Sequence, residues 1–220
     1  PAIVSTTATP SLVCPGSSSQ LQVTMPGPGA YCTTSYSNGT GFGDFLTSVE
    51  ILGTTLSNAS GASGAPYYTL YAPSGSTTAT LVAGTTYTFR AVAGTYTIND
   101  VAVWIDYNNN GVFDEPAEKL GQVDNIGAAP AQANIVFTVP LTALNGQARL
   151  RVRDSDTSGP IPACGAQSFG EVEDYELTIT GGVTPVTFTY AWTPASYPTG
   201  SLDDATIANP LASAITAAQT

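Results

Sequence analysis

Between residues 104 and 118 the chain reads Trp-Ile-Asp-Tyr-Asn-Asn-Asn-Gly-Val-Phe-Asp-Glu-Pro-Ala-Glu, and this stretch gathers the oxygen donors that a hard cation requires. Asp106, Asn108 and Asn110 recur at a spacing of two, Gly111 stands where a sharp turn is needed, and Val112 can offer its backbone carbonyl before Asp114. Ca²⁺ takes about six to eight oxygens and accepts carboxylate, amide and carbonyl donors together. The order therefore predicts a calcium loop, with Asp106, Asn108, Asn110 and the Val112 carbonyl as ligands and Asp114 or Glu118 closing the shell. The helix-loop-helix version of such a loop has its bidentate Glu at the twelfth position; Ala117 stands there, and Glu118 follows one residue later. The alternative is an Asn/Gly turn carrying solvated acids and no metal, since the same residue types form ordinary turns.

Two other groups have chemistry to offer. Arg149, Arg151 and Arg153 alternate with Leu150 and Val152, so a strand here puts the arginines on one face and the apolar pair on the core face. Glu171, Glu173 and Asp174 are expected to pair with these arginines or to act as outer calcium ligands, the other reading being a solvated basic stripe. Glu171 and Glu173 would also lie on one face of a strand roughly 7 Å apart, a separation compatible with an acid/base pair of a glycosidase. Pairing with the arginines accounts for the same residues more simply, and the chain is read as no enzyme.

Composition removes several classes. There is no His, so Ser-His-Asp and Cys-His catalysis and His-bound zinc are absent. The net charge is −11 and only five residues are Lys or Arg, which argues against nucleic acid and anionic membrane as partners. Twelve of the sixteen acids lie from Asp100 to Glu176, so the negative field belongs to one region. No run approaches the roughly eighteen apolar residues of a membrane span. Three widely spaced Cys in a Thr- and Gly-rich, Lys-poor chain suggest an oxidising exterior and one structural disulfide. The chain opens on Pro1 without an initiator Met or signal peptide, as a mature product or a window on something longer would.

The elements that must carry these groups are strands. Alternating, β-branched runs stand at 2–6, 20–25, 46–52, 67–71, 77–82, 85–92, 95–98, 101–105, 135–139, 148–153, 175–180 and 186–192, with Gly- and Pro-rich breaks between them. Residues 160–169 read as a loop, and 205–220 as strand or coil, because Asn209-Pro210 interrupts an Ala-rich stretch. Short strands at regular intervals indicate sandwiches and not a parallel sheet with helices.

Residues 31–180 resemble the GEVED domain, a β-sandwich module of large secreted and cell-surface bacterial proteins. The likeness rests on Tyr31-Cys32, on Trp104-Ile-Asp-Tyr-Asn with Gly111 and Phe113-Asp114, on Phe137-Thr-Val-Pro140, on Arg149-Leu-Arg-Val-Arg153, on Cys164-Gly165, and on Phe169-Gly-Glu-Val-Glu-Asp-Tyr175, in that order. It implies a Cys32–Cys164 bridge and calcium at the Asp106 loop, and leaves Cys14 as a buried thiol elsewhere. The flanks look like the opening and middle of an immunoglobulin-like or PKD-like repeat, through Leu12-Val-Cys-Pro-Gly16 and Tyr190-Ala-Trp-Thr-Pro194. The expected fold is thus all-β with two sandwiches. A jelly-roll-like GEVED module over 28–182 is inserted into a discontinuous immunoglobulin-like domain of 1–27 and 183–220, with Trp192 opposite Leu21 and Val23; three beads in a line are the competing arrangement.

These readings converge on a non-catalytic subunit or repeat of an extracellular filament, stalk or adhesin on the cell surface. The alternative is an adhesion module binding surface glycans through tyrosines such as Tyr67, Tyr68 and Tyr71. Because the last strand of the immunoglobulin-like repeat is not reached before Thr220, the partner is expected to be a second copy. Residues 1–6, opening on Pro1 and closing on Thr6, would add to its sheet head to tail; a longer tandem-repeat polypeptide is the other possibility.

Overall fold

At 132–138 the period-two pattern becomes burial directly: Ala133, Ile135 and Phe137 are buried and the residues between them are exposed. The same rule builds the rest of an all-β molecule. A computed structural model describes residues 5–11, 17–24, 30–156, 159–184, 191–192, 196–197, 200–207 and 209–215. The chain divides into two compact units, one of Pro28–Pro185 and one of Pro1–Gly27 with Val186–Thr220.

In the terminal unit, β1 (Ser5–Thr9) and β2 (Ser17–Thr24) form an antiparallel pair. The central unit runs through β3 (Thr34–Gly39), β4 (Leu46–Ile51), β5 (Ser57–Asn58), β6 (Tyr68–Tyr71), β7 (Thr80–Val82), β8 (Thr86–Ala93), β9 (Asn99–Ile105), β10 (Lys119–Ile126), β11 (Gln132–Thr138), β12 (Gly146–Ser155) and β13 (Gly165–Thr180). Returning to the terminal unit, β14 (Ser196–Tyr197), β15 (Gly200–Leu202) and β16 (Leu211–Ile215) complete a sheet of order β1-β2-β16-β15-β14.

The central unit is a two-sheet sandwich. One sheet has the order β10-β9-β12-β13-β3, with β6 and β7 also lying along β13, and the other has the order β11-β8-β4-β5. Val101, Val103, Ile105, Leu150, Val152, Tyr175 and Leu177 of the first face Val49, Ile51, Phe89, Ala91 and Ile135 of the second in one core. The 16-residue β13 organises the larger sheet: β12 pairs along one edge antiparallel, and β3, β6 and β7 follow one another along the other edge parallel. Those parallel partners were not expected from the sequence.

A second, smaller core covers the outer face of the same sheet, where Ala102 and Trp104 of β9 pack with Phe113, Ile161 and Ala163, and Tyr31 and Cys164 lean on them. All seven positions of β9 are therefore buried.

Several expectations need correction. Residues 95–97 are bends and Ile98 is irregular, so the strand begins only at Asn99. Residues 165–169, expected as loop, are the first part of β13, because β3 supplies hydrogen-bonding partners there. β3 and β10 were not anticipated, their sequences being rich in Ser, Gly, Asn and Gln. Ser5 and Thr6, expected as part of a donated segment, pair with Thr24 and Val23 within their own unit. Residues 1–4, Cys14 and most of the run expected as a strand over 186–192 lie outside the described residues. Trp192 and Leu21 are partly buried, with the Trp192 indole donating to the Ile207 carbonyl at 3.0 Å, and the side chain of Val23 is likewise not described.

Candidate functional site

The 106–118 loop leaves β9 and returns as β10, and Asp106 organises its first turn. Fully buried, Asp106 accepts the Asn110 N–H on Oδ1 at 3.2 Å, and on Oδ2 the Gly111 N–H at 2.9 Å and the Tyr31 hydroxyl at 2.8 Å. The turn needs Gly111, whose φ is +82°, and Asn109 takes φ +50°, which Asn tolerates better than most residues. Asn108 and Asn110 both donate their side-chain amides to Oδ2 of Asp114 at 3.1 Å, so three of the expected ligands converge on one point. Glu118 does something else: Oε1 accepts the Tyr107 and Asn108 N–H groups at 2.9 and 3.2 Å, and Oε2 accepts the Asp114 N–H at 2.9 Å. Of the two residues expected to close the shell, Asp114 stands with the asparagines, whereas Glu118 is spent on bracing the backbone.

This donor set suits calcium in kind: carboxylates from Asp106 and Asp114, amide oxygens from Asn108 and Asn110, and the Val112 carbonyl. Among the described residues no three His, Cys, Asp or Glu side chains gather in one metal-binding group, and the expected donor set carries two carboxylates, Asp106 and Asp114. Low charge belongs with the weaker extracellular class of calcium sites, which fill at roughly 10⁻⁴ to 10⁻³ M. A bound ion would take the place of the amide donors now facing Asp114 and would hold the asparagine oxygens inward.

The outer sheet face behind the loop is where the arginines lie, and it is closed. Arg151 is 1% exposed and grips Asp174 with Nε and Nη2 at 2.8 Å each, while its Nη1 donates to the carbonyls of Cys32 and Ala163. Arg149 bridges Asp174 and Glu176 at 3.3 and 3.1 Å. Among the described residues Arg153 meets no carboxylate; it donates to the Tyr36 hydroxyl and to the carbonyls of Pro162, Cys164 and Gly165. Cys32 and Cys164 are bridged across a sequence separation of 132, with Cα atoms 5.7 Å apart. Tyr31, next to that bridge, packs its ring 5.2 Å from Phe113 and under the Arg149 guanidinium at 4.7 Å, which ties disulfide, arginine strand and loop together. Burial, reinforced by Asp106, raises the Tyr31 pKa.

The expected pairing of Glu171 and Glu173 with the arginines is not what the register allows. Arg151 stands opposite Asp174, so Glu173 and Glu171 fall opposite Val152 and Asp154 and point into the sandwich. Glu171 accepts the Leu46 and Ser63 N–H groups at 2.7 and 2.6 Å, one on each oxygen, and thereby fastens the second sheet and the loop that follows it. Glu173 receives the Tyr175 hydroxyl, which in turn accepts from Asn58 at 3.0 Å, while Tyr71 stacks on Tyr175 at 4.9 Å. Burial pushes Glu173 up to about 8, only partly opposed by the hydroxyls of Ser60, Tyr175 and Tyr71.

That shift has a definite sign. The folded state holds the Glu173 proton more tightly than the unfolded chain, so stability from this group is full below the ordinary Glu range. It declines from about pH 4.5 upward and levels off above about pH 8. Glu173→Gln, which keeps the shape without the proton equilibrium, is expected to flatten the fall in urea-unfolding free energy between pH 5 and 8 by a few kcal/mol. An unchanged pH slope in the variant would show that Glu173 is ionised in the fold.

The tyrosines considered for glycan contact have internal duties. Tyr68 donates to Asp174 at 3.0 Å, Tyr71 stacks on Tyr175, and Tyr67, at φ +63°, lies against Gly39, where an added Cβ would meet its ring at 2.2 Å. The sequence reading did not single out Asp44, Asn99 or Asp154, all buried polar residues at one end of the sandwich. A signal for Asp154 existed: it continues the parity of Leu150 and Val152 and so had to face inward.

The family model of the GEVED domain matches residues 100–178, which takes in the 106–118 loop, the arginine strand and the Gly170–Asp174 run. No curated protein matches the chain.

Proposed function

We propose that this chain is a non-catalytic structural segment of an extracellular bacterial filament, stalk or adhesin, held rigid by the Cys32–Cys164 bridge and by calcium in the 106–118 loop. The observation that carries the reading is the fate of the motif acids. Glu171, Glu173 and Asp174 are all fully buried and engaged with backbone N–H groups, Tyr175 and arginines. They hold sheets together and reach no substrate, as a scaffold requires and a glycosidase forbids. A disulfide fits an oxidising, extracellular setting, and no helix among the described residues is long and apolar enough to cross a membrane. The terminal unit serves, in this reading, as an immunoglobulin-like or PKD-like connector, with β1 at one edge of its sheet open to strand addition by a second copy.

A specific feature favours a second reading, an adhesion module for surface glycans. Phe42, 71% exposed, meets Phe169 edge-on at 5.3 Å, and with Tyr96, Asp44 and Asp156 the two rings border a cavity of about 230 Å³. Aromatic faces beside carboxylates suit sugar rings. Electron microscopy of the purified chain with calcium separates the readings. Linear head-to-tail particles are expected. A strictly monomeric protein retained on a glycan array through Phe42, and released by Phe42→Ala, would favour the second.

A further inference from the structure

We propose that the central unit holds a second divalent-cation site, for calcium, at the end of the sandwich, formed by Asp154, Asp44 and Asp156 with the Asn99 side-chain oxygen. The site shares no residue with the 106–118 loop and does not depend on it.

Strand register brings these residues together. Asp154 lies opposite Val101 on one side and Glu171 on the other, on the core face of the larger sheet. Asn99, two residues before Val101 on β9, shares that parity, and Asp156 follows directly after the end of β12. Asp44 comes from the loop preceding β4 of the facing sheet and, with Asp156, lines the cavity beneath Phe42, Tyr96 and Phe169.

What these groups lack is a partner. Asp154 is 0% exposed, yet among the described residues neither of its carboxylate oxygens has a hydrogen-bond donor, and Oδ1 of Asp44 and Oδ1 of Asn99 are equally bare. The Asn99 amide nitrogen is engaged with the Tyr96 carbonyl at 2.8 Å. Three other buried carboxylates are treated differently, Glu171, Asp106 and Glu118 having both oxygens bonded, and Glu173 keeps a donor on one of its two. A buried carboxylate without donors is costly unless it is paired or coordinates a metal.

Among the described residues no basic side chain is available to neutralise it. Arg90 pairs with Glu50, Lys119 with Glu115 and the Ile161 carbonyl, and the three remaining basic residues belong to the opposite face of the sheet. With burial, the nearby Glu171, Asp44, Asp100 and Asp156 hold the Asp154 pKa well above the usual carboxylate range. Protonation of Asp154 would supply a single donor, fewer than the bare oxygens of Asp154, Asp44 and Asn99 require. A cation satisfies oxygens and charge at once.

The chemistry selects the ion. The donors are carboxylates and an amide oxygen, with no thiol or imidazole, and calcium tolerates the irregular coordination that a loop and two strand ends provide. Three acidic side chains do not yet converge on one point among the described residues, so filling the site requires Asp44 and Asp156 to turn inward from the cavity wall.

Equilibrium dialysis of the 220-residue chain against calcium chloride tests this, using Asp106→Asn to remove the loop site. The Asp106→Asn chain is expected to retain one calcium-binding event. That event should be lost when Asp154→Asn is added and weakened by roughly tenfold or more when Asp44→Asn is added. Asp156→Asn gives the same readout from the cavity wall if Asp154→Asn does not fold. Binding that is the same with and without these three substitutions, or no binding by the Asp106→Asn chain, overturns the proposal. Unchanged binding on Asp106→Asn, with loss on Asp154→Asn, supports it and removes calcium from the loop instead.

Discussion

Replacing Cys32 and Cys164 together by Ser is expected to lower the unfolding free energy by about 5 kcal/mol, the chain-entropy value for a loop of 132 residues. The effect should exceed that of any single core truncation in the terminal unit, because the bridge closes nearly the whole central unit. It also fixes the 159–165 segment over Trp104 and Phe113, where Ile161 and Ala163 complete the outer core and the Ala163 and Cys164 carbonyls receive Arg151 and Arg153. Urea denaturation of the oxidised protein and the double variant measures it. A difference below about 1 kcal/mol would mean that the arginines hold that segment without the bridge.

The second large effect is expected at Arg151. Arg151→Met removes a guanidinium that makes two hydrogen bonds to Asp174 and two to backbone carbonyls, and that lies 4.9 Å from the Phe113 ring. Asp174 is left fully buried with, among the described residues, only Arg149 and Tyr68 to support its charge. Breaking a buried pair from one side costs about 3–5 kcal/mol. Replacing both partners by apolar residues should cost less than the single change, which a double-mutant cycle reads directly. If Arg151→Met alone costs under about 1 kcal/mol, the pair does not hold the outer face.

Much of this was legible from residue order. The alternation of Leu150 and Val152 with three arginines placed each set on its correct face, and the Asp106-to-Gly111 spacing located a turn whose φ values need Gly and Asn. The error over Glu171 and Glu173 was also physical. Residues two apart share a face, so these two could never accompany Asp174, but which face they take depends on the pairing of Arg151 with Asp174, a long-range register that local patterns do not encode. Glu118 is a similar case, since its three backbone donors are set by how the loop closes. The parallel strands along β13 were hidden because edge strands such as Thr34–Gly39 are short and polar, and partners far away in sequence stabilise them. The acids at the sandwich end escaped notice because Asp44 and Asp156 are 112 residues apart and come to line one cavity only in the folded chain.

Thermal unfolding of the full chain with calcium and with excess EDTA, followed in parallel for Asp106→Asn, tests the central claim of a calcium-stiffened scaffold most directly. Asp106 accepts three hydrogen bonds at the root of the loop, so the variant lowers the melting temperature on its own, and the calcium-dependent increment is the quantity to read. At millimolar calcium, about tenfold above the dissociation constant, the unsubstituted chain is expected to gain roughly 1–2 kcal/mol, seen as a rise of several degrees. Asp106→Asn should keep at most the part of that increment contributed elsewhere in the molecule. Identical melting with calcium and with EDTA in the unsubstituted chain would contradict the account.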